Sequence, residues 1–423
     1  MSAEDNAEPG RAAEHFNELD GLRGAAAFIV MFAHYWYFLH DIDSSAFGAS
    51  PLGLFLNSKF AVYVFFALSG FVLAHASSLS RLAFSRLVVK RYVRLTLPIL
   101  ASAALALVLI TLGLGSDAYR TELGPNAVSY FPPNFEPGIF ASLYDTAIRV
   151  YGTGHSDLNA VLWTMRVELI GSILVFALYR FIPKRSYRLA LNLIGATVMF
   201  LTLGKHHPIS GLQLFCCGMI LYDLWPELKA IRDRATRGNV IGFSLFALGM
   251  ALAAWSADEP TFPSVAPLFD MLRPAIEISR YEAYQTAAIL ALLGMLLAPA
   301  CSRLFGSSLF RFLGLISFPL YLTHASIEVM VTGHVFLWLQ QSVSPLSAAL
   351  ILLIPNIALC ILVAVLFLRL VEAPAIRISA RSADWLPAFP RHRLRGFPAP
   401  WRLDPPLTSE PVASEPAKRP SGR

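Results

Sequence analysis

Leu19-Asp20-Gly21-Leu22-Arg23-Gly24, continued by the apolar run Ala25-Ala26-Ala27-Phe28-Ile29-Val30-Met31-Phe32-Ala33-His34, decides what kind of protein this is. The run reads as a membrane span, yet it holds Arg23 and His34, eleven residues apart. At about 100° per residue the two share a helix face, separated by roughly 16 Å along the axis. An ionisable side chain within lipid costs about 2.5–3.5 kcal/mol or more unless it faces a protein interior or a water-filled cavity. The pair therefore marks a site inside the span.

Composition agrees. Of 423 residues, 56% are hydrophobic and only 15% charged, and the mean hydropathy is +0.56. A soluble chain of this size is excluded on those grounds. The expected fold is all-α, a polytopic membrane protein of about ten transmembrane helices. Its apolar stretches fall near residues 22–40, 59–77, 92–115, 160–182, 188–204, 209–225, 238–256, 283–302, 312–340 and 347–370. The ninth is long enough to be tilted or broken. The four cysteines, Cys216, Cys217, Cys301 and Cys360, lie in apolar stretches without metal-ligand spacing, so they read as packing residues, and no metal is expected. No cleavable signal peptide is expected, because the segment before the first apolar run is acidic.

The basic residues orient the spans. With the N-terminus cytoplasmic, the cytoplasmic loops hold Arg81, Arg86, Lys90 and Arg91, then Lys184, Arg185 and Arg188, then Lys229, Arg232, Arg234 and Arg237, then Arg303 and Arg311. The opposite loops hold far fewer, which predicts both termini inside, in a bacterial inner membrane. The net charge of +6 is then a product of topology and a basic tail, and no nucleic-acid partner is implied. Residues 116–159 and 257–282, rich in Pro, Gly and Asn, read as external, substrate-facing loops. The expected organisation is a polar tail over 1–17, a membrane domain over 18–377 and a Pro/Arg-rich disordered cytoplasmic tail over 378–423 that touches anionic lipid.

Rise per residue places three titratable side chains near mid-membrane: His34 and His324 each about 18 Å from a cytoplasmic helix end, Glu168 about 12 Å from an external one. A histidine and a carboxylate at one depth form a buried acid/base pair if they face one another. Arg166 lies across the helix from Glu168 and does not explain that carboxylate. A lone membrane histidine also serves as an interhelical hydrogen-bonding group, and for His324 the expected partner is Glu328, one turn along. Arg91 and Arg94, three apart, share a face suited to phosphate, although topology alone also puts arginines there. There is no phosphate-binding G-x-x-x-x-G-K-[ST] loop, no H-E-x-x-H and no G-x-S-x-G. His15 and Asp20 share the H-x4-D spacing of soluble glycerolipid acyltransferases by chance.

Taken in order, these motifs resemble the membrane acyltransferase-3 family, whose members O-acylate sugars and other cell-envelope or secreted molecules. The resemblance covers most of residues 17–377. It rests on Leu19–Gly24 with His34, on Phe65-Phe66-Ala67-Leu68-Ser69-Gly70-Phe71, on Arg91-x-x-Arg94, on Trp163-Thr164-Met165-Arg166-Val167-Glu168, on Ser317–His324 and on Val371-Glu372-Ala373-Pro374. After Glu168 this chain reads Leu169-Ile170-Gly171-Ser172, where many bacterial members carry a second acid and an aromatic pair. It also lacks the esterase-like domain appended in some relatives.

The resemblance implies an acyl-CoA co-substrate, most often acetyl-CoA, with no permanently bound cofactor. It implies a carbohydrate or lipid-linked acceptor hydroxyl at the membrane. In this reading Arg23, Arg91 and Arg94 bind the donor's phosphates. His34 is a general base or a transient acyl carrier, and Glu168 orients it or handles its proton. Asp20, Ser69 and His324 are further candidate site residues. The competing reading is a transporter or flippase for a lipid-linked saccharide, with the same charges forming a proton relay. A structural scaffold in an envelope assembly, in which His34 is dispensable, is a third.

Overall fold

The computed structural model describes residues 16–39, 55–123, 127, 138–203, 209, 211–254 and 280–385. His15, most of the second long loop and the tail beyond residue 385 lie outside the described residues. Those described are 88% helical with no strand.

The first helices are α1 (Asn17–Phe38), α2 (Ser58–Leu79), α3 (Phe84–Leu109) with a π turn at Ile110–Leu114, and α4 (Asp117–Leu123). Then come α5 (Ile139–Tyr144), a π turn at Asp145–Arg149, α6 (Val150–Thr153) and a 3-10 turn at Ala160–Trp163 that opens α7 (Thr164–Phe181). The middle of the chain forms α8 (Arg185–Thr202), α9 (Leu212–Asp223), α10 (Trp225–Arg232) and α11 (Ala235–Ala254). The last third forms α12 (Arg280–Leu297), α13 (Pro299–Phe305), α14 (Ser308–Ile327), a π turn at Glu328–Thr332 and α15 (Gly333–Leu339). It ends in α16 (Pro345–Phe367), a π turn at Leu368–Glu372 and α17 (Ala373–Ser382).

Among the described residues each apolar stretch read from the sequence is mainly helical, but the count of about ten spans is not reached. Among the described residues six helices are long and apolar enough to cross a membrane, or seven if α12 and α13, bent by 101°, make one broken span. The shortfall has local causes. α9 has only 12 residues, and α8 opens on Arg185 and Arg188. α1 carries Glu18, Asp20, Arg23 and His34 along with Tyr35, Trp36 and Tyr37, which lower its hydropathy while suiting it to the protein interior. The ninth stretch runs from Ser308 to Leu339 as one helix of 32 residues, with a π turn after Ile327 and no break.

Small residues set the closest helix contacts. A Cβ on Gly21 would lie 1.9 Å from the Phe305 carbonyl oxygen, and one on Gly24 would lie 2.4 Å from the Gly314 amide nitrogen. The glycines of the opening motif thus let the α1 backbone touch α13 and α14, as small residues do between membrane helices. Gly24 meets Gly314, and His34 meets His324, also 290 positions away. The two helices therefore run parallel and in step. Between α2 and α9 the pairs are Gly70 with Phe215 and Gly218 with Ala67, an antiparallel contact of the same kind.

Residues 138–159 depart from the expected external loop. The Tyr92 hydroxyl donates to the Ala147 carbonyl at 2.7 Å, and Thr96 and Tyr151 share a hydroxyl contact at 2.9 Å. Both anchors lie in the first half of α3, level with Arg91 and Arg94 and not beyond its far end. Ile139, Phe140, Leu143, Tyr144 and Ile148 face outward, while Asp145 is buried and accepts from Ser156 and Arg149. At the other end of the chain, α17 continues to Ser382, five residues past the expected end of the membrane domain.

Candidate active site

Between α1, α2, α3, α7, α14 and the π turn before α17 lies a cavity of about 820 Å³. Its lining holds four guanidinium groups, of Arg23, Arg91, Arg94 and Arg311, and three carboxylates, of Asp20, Glu168 and Glu372. Arg23 pairs with Asp20 at 3.2 Å, one turn along α1. Arg91 reaches across to α7, where Nη2 donates to Glu168 Oε2 at 2.7 Å and Nε donates to the Ser172 hydroxyl at 2.8 Å. Glu168 Oε1 accepts from the Ser69 hydroxyl at 2.8 Å, so both of its oxygens are engaged.

Arg94 Nη2 donates to Glu372 Oε1. Its Nη1 and the Glu372 Oε2 are buried with no partner. Arg311 stands exposed at the mouth, with no carboxylate partner among the described residues. Such a chamber favours an anion. Its guanidinium forks outnumber its acids, and charged side chains facing a cavity escape the cost of lipid.

A second polar centre lies beyond the closed end of the cavity. His34 Nδ1 and His324 Nε2 are 2.8 Å apart, with the rings 8° from parallel. His324 Nδ1 contacts the Leu320 carbonyl oxygen at 2.9 Å. A carbonyl only accepts, so Nδ1 of His324 carries its hydrogen. With both rings neutral, His324 Nε2 must then accept from His34 Nδ1, and the lone pair of His34 Nε2 is left available. His324 is 0% exposed, whereas His34 is half-buried. The Phe38 ring, 5.6 Å away, packs against His34 from the next turn of α1.

Arg23, Arg91, Arg94, Asp20, Glu168 and Ser69 thus come together around one cavity, and His34 and His324 come together at another place. The expected common depth is corrected. α1 begins at Asn17, so His34 lies about 25 Å along it and one turn from its end. Glu168 does not orient His34. It is spent on Arg91 and Ser69, while Arg166 turns away to the Thr153 carbonyl.

The expected His324–Glu328 pairing is not formed either. Glu328 sits in the π turn, where Oε1 accepts from Asn356 at 3.3 Å and Oε2 is unpaired. Glu372 and Arg311 were not among the sequence-derived candidates. A carboxylate closing the apolar run 347–370 was the available signal for Glu372, while Arg311 is indistinguishable in sequence from an orienting charge. Ser172, part of the departure after Glu168, bonds Arg91. Gly171 beside it makes room for the Phe215 ring, 2.6 Å from where a Cβ would lie.

A family model described as "Acyltransferase domain", of the acyltransferase-3 type, matches residues 16–365. The curated protein "Acyltransferase clz18" of Cochliobolus lunatus is 24% identical over 238 residues, 51% of this chain and 50% of that protein. The chain thus spans about half the length of the curated relative it matches. No solved structure matches the chain. With an all-α bundle of apolar spans and a family match running from α1 through most of α16, the chain belongs to the acyltransferase-3 family and is an integral membrane protein.

Proposed function

We propose that the protein transfers an acyl group, in the simplest case acetyl, from acyl-CoA to a hydroxyl of a cell-envelope or secreted carbohydrate or a lipid-linked relative of one. The observation that carries this reading is the pairing of an arginine-lined cavity at one end of the bundle with a histidine dyad further along the same two parallel helices. The donor's phosphates meet Arg23, Arg94 and Arg311, which line the cavity. Arg91 is held by Glu168 and Ser172 and shapes the wall. No permanently bound cofactor enters the scheme.

His34 Nε2 accepts the proton of the acceptor hydroxyl as that oxygen bonds to the thioester carbonyl carbon. The carbon–sulfur bond then breaks, and the proton passes from His34 to the departing thiolate, leaving an ester and free CoA. His324, through its hydrogen bonds to His34 and Leu320, holds the tautomer that keeps Nε2 unprotonated. The orientation read from the basic loops, with both termini cytoplasmic, puts the cavity mouth on the side where acyl-CoA is made.

The test uses purified full-length protein with acetyl-CoA. His34→Ala is expected to lower thioester turnover about 10²–10⁴-fold, the usual contribution of a general base, with CoA affinity retained. Full turnover by that variant at equal protein would reject the assignment and return the transporter reading.

A further inference from the structure

The cavity stops one helical turn short of the dyad, and Tyr321 is the side chain that stands between them. Its ring lines the cavity's inner end and lies 6.0 Å from the His324 ring on the opposite side. It is only 6% exposed and is fixed at both ends. The hydroxyl donates to the Val161 carbonyl at 2.6 Å. Its single hydrogen is thereby used, so the Thr164 hydroxyl, 2.9 Å away, donates to it. Phe65 meets the ring edge-on at 6.0 Å, and Val62 and Met165 complete the apolar floor.

On α14 the lining runs from Ser308 to Tyr321, a rise of about 20 Å. An extended alkyl chain would run into a ring that two hydrogen bonds prevent from swinging aside.

We propose that Tyr321 sets the donor's acyl length: as the end wall of the cavity it leaves room for a short acyl group and rejects long ones. The inference rests on the reading that the cavity holds acyl-CoA. It concerns which acyl group is selected, not whether one is transferred.

The experiment measures binding of CoA, acetyl-CoA and octanoyl-CoA to detergent-purified full-length protein. The wild type is expected to favour acetyl-CoA over octanoyl-CoA. Tyr321→Ala is expected to move the octanoyl-to-acetyl affinity ratio by about tenfold or more toward octanoyl, the effect of two or three newly buried methylenes, with affinity for CoA itself unchanged. Phe65→Ala, also at the floor, should shift it the same way by less, and Tyr321→Phe, which keeps the ring, should shift it least. An unchanged ratio in folded Tyr321→Ala overturns the inference, as does a wild type that binds octanoyl-CoA as well as acetyl-CoA. If Tyr321→Ala does not fold, the wild-type series and Phe65→Ala decide. A wild type that binds no CoA species overturns the donor reading itself and the inference with it.

Discussion

At the scale of single residues, the dyad separates two roles that a single histidine would merge. His34→Ala removes the group that takes the proton. His324→Leu leaves that group in place but deprives His34 Nδ1 of its acceptor, so the imidazole is free to rotate or switch tautomer. The expected outcome is a kcat lowered about 10–10²-fold, less than for a lost general base, with KM for acyl-CoA unchanged. His324→Gln, whose amide can accept from His34 and donate to Leu320, should recover part of the loss; steady-state kinetics on the three variants reads the difference. Arg94→Lys should raise the donor KM, because a compact ammonium lacks the planar fork whose separate nitrogens can face Glu372 and a phosphate in fixed directions. The arginines are legible in the sequence because a charge at the foot of an apolar run has few other uses, and Arg91 and Arg94 share a face by spacing alone. The partner of His34 is not legible. His324 lies 290 positions away, and Glu168, chemically the better guess, is already satisfied by an arginine and a serine on neighbouring helices.

At the scale of elements, the parallel contact between α1 and α14 is what brings the histidines together. Gly24 touches Gly314, and ten residues further along each helix His34 meets His324. Gly24→Val should therefore abolish activity and destabilise the fold by about 3 kcal/mol, the upper end of overpacking costs. Gly152 is the control: a Cβ there would meet nothing within 4 Å. Gly152→Ala, inside α6, should be neutral or stabilising by up to about 1 kcal/mol, and thermal unfolding in detergent compares the two. The opening motif is read in sequence for its arginine, yet its glycines set the geometry. A lone glycine in an apolar run carries no mark of which helix it will touch. The π turns are equally silent in sequence, because a single extra residue in a helical repeat leaves the hydrophobic pattern almost unchanged. Two of them carry Glu328 and Glu372, side chains a regular helix would aim elsewhere.

At the scale of the whole molecule, apolar runs reveal the bundle and basic loops predict its orientation, because lipid and the positive-inside bias act on composition and not on contacts. Reporter fusions after residues 83, 186, 233 and 306 should all report the cytoplasm; two or more on the other side would reverse the bundle and move the cavity mouth away from the acyl-CoA pool. The span count is less legible, since helices that carry the site trade hydropathy for chemistry, as α1 does with Arg23 and His34. The pairing of α1 with α14 also sets a timetable for biogenesis. α1 leaves the ribosome first, and the matching surface of α14 follows 290 residues later, roughly 15–60 s at 5–20 residues per second. Throughout that interval Gly21 and Gly24 present a bare backbone groove, and His34 has no partner for its ring hydrogen. The half-made protein must therefore shelter its first helix against α2 or the insertion machinery until nearly three-quarters of the chain is in the membrane.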